Sequence, residues 1–369
     1  MNSKERVIAA INHQLSDRVP LDGYFRQDVW AKLEDHFKTK DAEKIMVELG
    51  LDIRYCMLEP SASFVEQATP SPWQIPEIGV GKKNLVISRD DGWLEDEYGI
   101  CRVPNDTRMY WLYTYHPLAE AGIEEVKEYQ FPDPNLPERY EGVRSDVAKW
   151  GEEYFKAAEL WNIFKSSWEL RGFDKYMMDL SLEPMLVETL ADRCLEHRID
   201  QSKQLVQCGV DMIVIMGDIA MQDTMMLSPK MWREYFKPRL KTWIEEVRRE
   251  RDVYFMFHSD GNMEAVFEDL IEVGFDIINP IQPESMDVEK IKSRYGDRVC
   301  LHGTISLQET LPFGTPEEVA DEVRHRISVC GRGGGLILSP SNTIQPDVSL
   351  ENMLTLYQTA KTFSAEGEN

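Results

Sequence analysis

The chain has 369 residues, 42% of them hydrophobic and 10% aromatic, enough for a sizeable core and too apolar for an intrinsically disordered chain. Its 65 acidic residues against 41 basic ones give a formal charge of -24, with no basic patch to offset it, which excludes nucleic acid and anionic membrane surfaces as partners. No stretch approaches the roughly 20 apolar residues of a membrane span, the opening MNSKERVIAAINHQ is amphipathic rather than signal-like, and six scattered cysteines without a C-x-x-C pair fit reduced thiols in a cytoplasm.

In chain order, VPLDGYF (19–25) reads as a first strand and LDIRYCM (51–57) as a second. A long segment, 59–157, rich in Pro, Trp and charge, follows. Within it WLEDEYGICRVP reads as a hairpin turning at Glu97-Tyr98-Gly99, and the whole reads as an insertion over one face, serving equally well as structural cap or substrate lid. ELWNIF (159–164) is the expected third strand and VDMIVIM (210–216) the fourth. After the amphipathic helix PKMWREYFKPRLKTWIEEVRRE come strand VYFMFH (253–258), a helix over 263–273 and strand DIINP (276–280). Helix VEKIKSRY, strand RVCLHG (298–303), helix PEEVADEVRHRISVC, strand GLILSP (335–340) and helix LENMLTLYQTAKTF complete the chain. Eight strands in βα order predict a (β/α)8 TIM barrel, one domain over 1–369 with 59–157 inserted between strands 2 and 3. The competing open doubly wound sheet lacks a G-x-G-x-x-G after its first strand.

Barrel chemistry collects at the C-terminal ends of the strands. The residues expected there include Tyr24 and Arg26, Cys56, Asn162, Asp218, His258 with Asp260, Asn279 with Gln282, His302 and Asn342. His258 and Asp260 are two apart, so in extended chain they share a face, a spacing that suits a metal chelate or an acid/base pair. The plainer alternative has Asp260 capping the next helix and His258 bonding a backbone carbonyl. Asp218 at the end of VIMG could equally be a cap, and His302 a packed barrel-end histidine. Met221, Met225 and Met226 line core or an apolar pocket.

The pieces ERVIAAINHQLSDRVPL, GVDMIVIMGDIAMQ with SPKMWREYFKPRLK, FHSDGN, INPIQPESMD, LHGTISLQETLPFGTPEEV and LSPSNTIQPDVSLENM run in order from residue 5 to 353. Together they resemble the uroporphyrinogen decarboxylase superfamily, which includes corrinoid-dependent methyltransferases. The resemblance implies a (β/α)8 barrel with its cavity at the strand C-termini. Porphyrinogen decarboxylases carry an arginine-rich M-R-Q-A-G-R-Y near the first strand; this chain keeps the first arginine as Arg26 and has Trp30 in place of the second. One matched arginine and an acidic surface disfavour an octa-acid substrate. The methyltransferase branch binds zinc through His-x-Cys and a distant Cys. Here His258 matches the histidine, Asp260 replaces the first cysteine and Asn342 stands where the last would be, a harder set of donors suited to oxygen.

The resemblance therefore implies a methyltransferase component of the O-demethylase type. It takes methyl from a small methoxylated compound, aromatic ones included, and because no D-x-H-x-x-G cobalamin signature surrounds any histidine, the corrinoid is expected on a partner protein. Expected catalytic residues are His258, Asp260 and Asp218. Expected substrate contacts are Tyr24, Arg26, Gln222, Gln282, His302 and Asn342. Zinc is expected on His258 and Asp260, with Asn342, Asp218 or Cys300 as third ligand; a homodimer is compatible with all of this. A cofactor-free decarboxylase of a small carboxylated ring, using Asp218 and Arg26, and a non-catalytic ligand-binding barrel are the alternatives.

Overall fold

The computed structural model describes residues 1–71, 85–106 and 110–363. Strand β1 (Ile53–Cys56) is followed by five short strands, β2 (Thr69–Pro70), β3 (Leu85–Ser88), β4 (Leu94–Glu95), β5 (Cys101–Pro104) and β6 (Trp111–Tyr115). Then come β7 (Phe155–Trp161), β8 (Met212–Met216), β9 (Tyr254–His258), β10 (Ile277–Ile281), β11 (Cys300–Ile305) and β12 (Leu336–Pro340). β1 and β7 to β12 form one curled seven-stranded parallel sheet in chain order, and β2 to β6 a five-stranded antiparallel sheet. The hairpin expected around Glu97-Tyr98-Gly99 is the β4–β5 pair.

Alternation sorts each parallel strand into two faces. One face, with Ile53, Ala157, Met212, Met256, Ile277 and Ile337, makes a small apolar layer plugged by Val7, Ala10 and Ile11 of the helix Ser3–Ile11. The other face packs against the surrounding helices in the main core. Helices cover the sheet because a parallel strand needs a crossover to re-enter it.

Three expectations are corrected. Among the described residues the sheet has seven strands and not eight: residues 19–25 form only isolated bridges, Leu21 with Leu338 and Phe25 with Ile344. Pro20 has no N–H to extend a ladder. The segment still bonds to both ends of the sheet, through Asp22 N to Leu338 O (3.0 Å) and Asp52 N to Leu21 O (2.8 Å). The strand expected over 159–164 runs instead from Phe155 to Trp161. It stops at Asn162, whose side chain caps the helix Ile163–Arg171 by accepting from Lys165 N at 2.7 Å. Third, the 59–157 stretch overlaps the start of β7.

A repeated device anchors the bottom of the sheet. Asp52, Asp211 and Asp276 each precede a strand and accept a backbone N–H from the neighbouring segment: Leu21 (2.8 Å), Lys156 (3.0 Å) and Phe255 (2.7 Å). Each also takes a cation. Asp52 is fully buried and holds two, Arg6 at 2.7 Å and Arg18 at 2.8 Å, tying the N-terminal segment to β1. Removing this carboxylate takes an ion-pair partner from both guanidinium groups, of which Arg6 keeps Asp17, and leaves the Leu21 N–H without its acceptor. Asp52→Ala is expected to cost about 3–5 kcal/mol in denaturant unfolding; a loss under 1 kcal/mol would show that the pairs contribute little.

Candidate functional site

The polar residues of the sheet's inner face lie above the apolar plug, at the C-terminal end. Register sets the arrangement: Trp161 pairs with Met216, Met216 with His258, and His258 with Asn279 on successive strands. His302 follows on β11, one residue beyond the Ile278–Leu301 pair. A hydrogen-bonded relay runs along this level. Asp22 Oδ2 accepts from His302 Nε2 (2.9 Å) and from the Tyr55 hydroxyl (2.6 Å). His302 Nδ1 then accepts from Asn279 Nδ2 at 2.5 Å, and Asn279 Oδ1 accepts from His258 Nδ1.

This chain of donors and acceptors fixes a tautomer. The Asp22 carboxylate can only accept, so His302 carries its proton on Nε2, and Asn279 must then present its amide NH2 to His302 and its oxygen to His258. His258 therefore keeps a proton on Nδ1, and Nε2 is the nitrogen that exchanges its proton. That nitrogen lies 4.0 Å from Asp260 Oδ1. Burial by itself lowers the pKa of His258, but the charges of Asp260 and Asp218, the Asn279 bond and Glu159 outweigh it, so the pKa is raised above 6.5.

Asp218, His258 and Asp260 each offer a ligand atom, and these atoms lie within 4.8 Å of one another. Asp218 Oδ1 accepts from Asp260 N at 2.8 Å, and Asn342 Nδ2 donates to Asp260 Oδ2. The turn after β9 that makes this possible needs Gly261. It has φ +83°, and a Cβ there would collide with the backbone of Met221. The next short helix is served by Asn262, whose side chain accepts from Glu264 N (3.1 Å), so Asp260 is not its cap.

Tyr24, Asp218, His258, Asp260 and Asn342 line one cavity of about 130 Å³, and with them stand Glu159, Trp161 and Lys165. Four other expected contacts lie elsewhere. His302 is fully buried behind Asn279. Gln282 is also buried and accepts from Gly261 N at 3.0 Å, bracing the turn. Gln222 is exposed and donates to Glu284 O. Arg26 reaches Asp28 and Gln345 only at 3.5 Å and is not among the residues lining this cavity. As third metal ligand, Asp218 is the residue brought to the other two. Cys300 sits two residues below His302 in the apolar plug, where burial pushes its thiol up to about 12. Asn342 turns its Nδ2 to Asp260, and its Oδ1 accepts from Thr343 N.

Glu159, Trp161, Lys165 and Asn279 complete the site beyond the residues expected to act. Glu159 accepts from the Tyr24 hydroxyl at 3.0 Å. Lys165 Nζ lies 4.5 Å from the Trp161 ring centre and 3.4 Å from Glu169 Oε1. The alternation in FKAAELW, with Phe155, Ala157, Glu159 and Trp161 on one face, carries the signal for the first two. A larger cavity of about 330 Å³ shares Glu159, Trp161 and Met216 with the first.

Known proteins supply the remaining constraint. The chain is 25% identical over 214 residues to the uroporphyrinogen decarboxylase of Chlorobium phaeovibrioides, covering 56% of this chain and 58% of that protein. It is 23% identical over 241 residues to a methylcobamide:CoM methyltransferase of Methanosarcina acetivorans, covering 65% and 68%. The match thus spans under two thirds of the decarboxylase's length. Among solved structures, a methyltransferase from Methanosarcina mazei superposes over 98% of both chains with TM-score 0.65 at 20% identity, a likeness of fold. The uroporphyrinogen decarboxylase (URO-D) family model matches residues 115–363, which includes every strand from β7 onward and most of the cavity lining, and the chain belongs to that family.

Proposed function

We propose that the chain is a methyltransferase component that removes a methyl group from a small methoxylated compound and passes it to a corrinoid carried by a partner protein. The observation that carries this reading is the orientation of His258, with Nδ1 committed to Asn279 and Nε2 turned toward Asp218 and Asp260. The reading takes residues 1–369 as one cytoplasmic domain, a curled seven-stranded sheet closed by the 19–25 segment, with the stretch before β7 as a cap. A reduced corrinoid on a carrier protein would supply the nucleophile that accepts the methyl group. The methyl–oxygen bond breaks, and the leaving oxygen takes the proton of His258 Nε2, giving the demethylated alcohol or phenol. The charges of Asp260 and Asp218 outweigh the burial of His258 and favour its protonated form. Tyr24, held by Glu159, stands on the cavity wall to orient the substrate.

Asp218, His258 and Asp260 also suit a divalent cation. One imidazole and two carboxylates form a hard, oxygen-rich set that holds zinc with positions left open. Zinc there would polarise the ether oxygen as a Lewis acid. The two roles compete for the same Nε2 lone pair, so His258 is either ligand or acid. Decarboxylation of a small carboxylated ring is the second reading, favoured by the names of the curated relatives and by Asp218 facing the cavity. An absorbance assay with free cob(I)alamin and methoxyaromatics, run beside measurement of CO2 release from carboxylated rings, separates the two. Cob(I)alamin loss with phenol release is expected; CO2 release without it would overturn the proposal.

If His258 is the acid, activity falls as pH rises through its raised pKa. Asp260→Asn removes a charge that raises that pKa, so the alkaline limb should move to lower pH, and His258→Ala should cost about 10²–10⁴-fold in turnover. An unmoved limb in Asp260→Asn would sink the acid role.

Asn279→Ala cuts the relay. It is expected to lower turnover about 10–100-fold and to shift the alkaline limb the same way, because the lost bond also favours the imidazolium. Full turnover in this variant would show that the tautomer needs no outside control.

For the metal, calorimetric titration of apoprotein with zinc should give one site that Asp218→Asn and Asp260→Asn each weaken by tenfold or more. Chelator should lower activity and zinc restore it. Unaltered zinc binding in both variants would place any ion elsewhere, and full activity in metal-free protein would leave His258 as the proton donor.

A further inference from the structure

The larger cavity lies between the tip of the β4–β5 hairpin and one face of the helix Pro184–Cys208, which contributes Cys194, His197, Arg198 and Gln201. Most of its charges are paired. Asp96 bonds Arg102, Glu97 holds Arg139 at 2.9 Å, and Glu169 holds Lys165 at 3.4 Å. Arg198 differs. It is only 5% exposed, yet its partners are all neutral: Ser166 Oγ (2.9 Å from Nη2), Gln201 Oε1 (2.6 Å) and the Tyr98 hydroxyl (3.1 Å from Nη1). Among the described residues no carboxylate lies within ion-pair distance of it. The adjacent His197 adds no second cation, since burial and then the Arg198 and Arg139 charges lower its pKa to about 2.

A buried guanidinium held only by dipoles keeps its full charge in a medium that solvates it poorly, and an anion entering beside it is strongly favoured. Arg198 lines open space that can admit one. We propose that this cavity receives the carboxylate of the substrate, with Arg198 as its counter-ion and Trp161 and Phe131 as apolar walls for an aromatic ring. Glu159, where the two cavities meet, repels the carboxylate from the His258 side and so sets the direction of the ligand. Trp161, Met216 and His258 are in register on three adjacent strands, so His258 lies two strand spacings from Trp161, about 10 Å between backbones. The substrate class we assign is a single-ring aromatic acid, its carboxylate at Arg198, its ring beside Trp161 and its other end toward His258. The assignment of a methoxy group to that other end rests on the function proposed above; the carboxylate pocket does not.

The test is binding without corrinoid, followed by tryptophan fluorescence, of 4-methoxybenzoate, 4-methoxybenzamide, 4-methoxybenzylamine and unsubstituted benzoate. The acid should bind at least tenfold tighter than its amide, the amine weakest, and benzoate should keep the preference. Arg198→Gln should bring acid and amide within about twofold, and Arg198→Lys should retain part of the difference. Equal binding of acid and amide by the unaltered protein, tighter binding of the amine, no binding of the acid, or an undiminished preference in Arg198→Gln would each overturn the proposal. Should the variants fail to fold, the ranking of the four ligands by the unaltered protein decides it. Acid preference without methyl transfer would count against the demethylase reading alone; methyl transfer without acid preference would count against the Arg198 pocket alone.

Discussion

The hydrogen-bond relay from Asp22 through His302 and Asn279 to His258 is the constraint on which the site depends. It joins the N-terminal segment to three strands, and each member has one donor or acceptor pattern that satisfies the next. A buried polar row of this kind is costly if any member is unsatisfied and rigid if all are. Here it does two things at once. It holds the 19–25 segment to β11 at a point where strand pairing is incomplete, and it aims one nitrogen of His258 at two carboxylates.

The row sits where it does because the inner face of the sheet changes character along the strands. At the N-terminal end the inward positions are Ile, Ala, Met and Cys, closed by the first helix; two residues further on they become Glu159, His258, Asn279 and His302. The lower layer excludes water from one side, and the upper layer borders a cavity on the other. Low dielectric beneath and converging charges above strengthen the mutual influence of His258, Asp218 and Asp260. The aspartates at the strand starts hold the opposite end, so the register that lines up the upper row is pinned from below.

The antiparallel sheet adds a second surface. Its hairpin tip sets Tyr98 against Arg198 and His197, and a cavity forms between them whose charges are mostly neutralised in pairs. The cavity beside it is acidic, with Asp218, Asp260 and Glu159 on its wall. A ligand lying across both meets opposite electrostatic ends, which gives orientation without requiring many contacts.

Much of the sheet was legible in the sequence, because apolar runs bounded by Gly, Pro and charge mark buried strands, and the positions of His258, Asp218 and Asn342 at strand ends follow from that reading. Two failures were local. The strand at 155–161 was placed too far along, since its Glu159 and Trp161 read as a start rather than as the inward half of an alternating strand; the 19–25 segment read as a full strand although Pro20 denies it a ladder. What the tertiary structure alone decided is partnership. Nothing in the chain order tells that Asn279 bridges two histidines, that Arg26 and Gln222 are not among the residues lining the cavity, that Cys300 belongs to the plug, or that Arg198 meets only neutral oxygens. Those facts depend on register across strands and on contacts between residues as distant in the chain as Asp22 and His302 or Arg26 and Gln345, and a periodic pattern within one segment specifies the face a side chain occupies but not the neighbour it meets there.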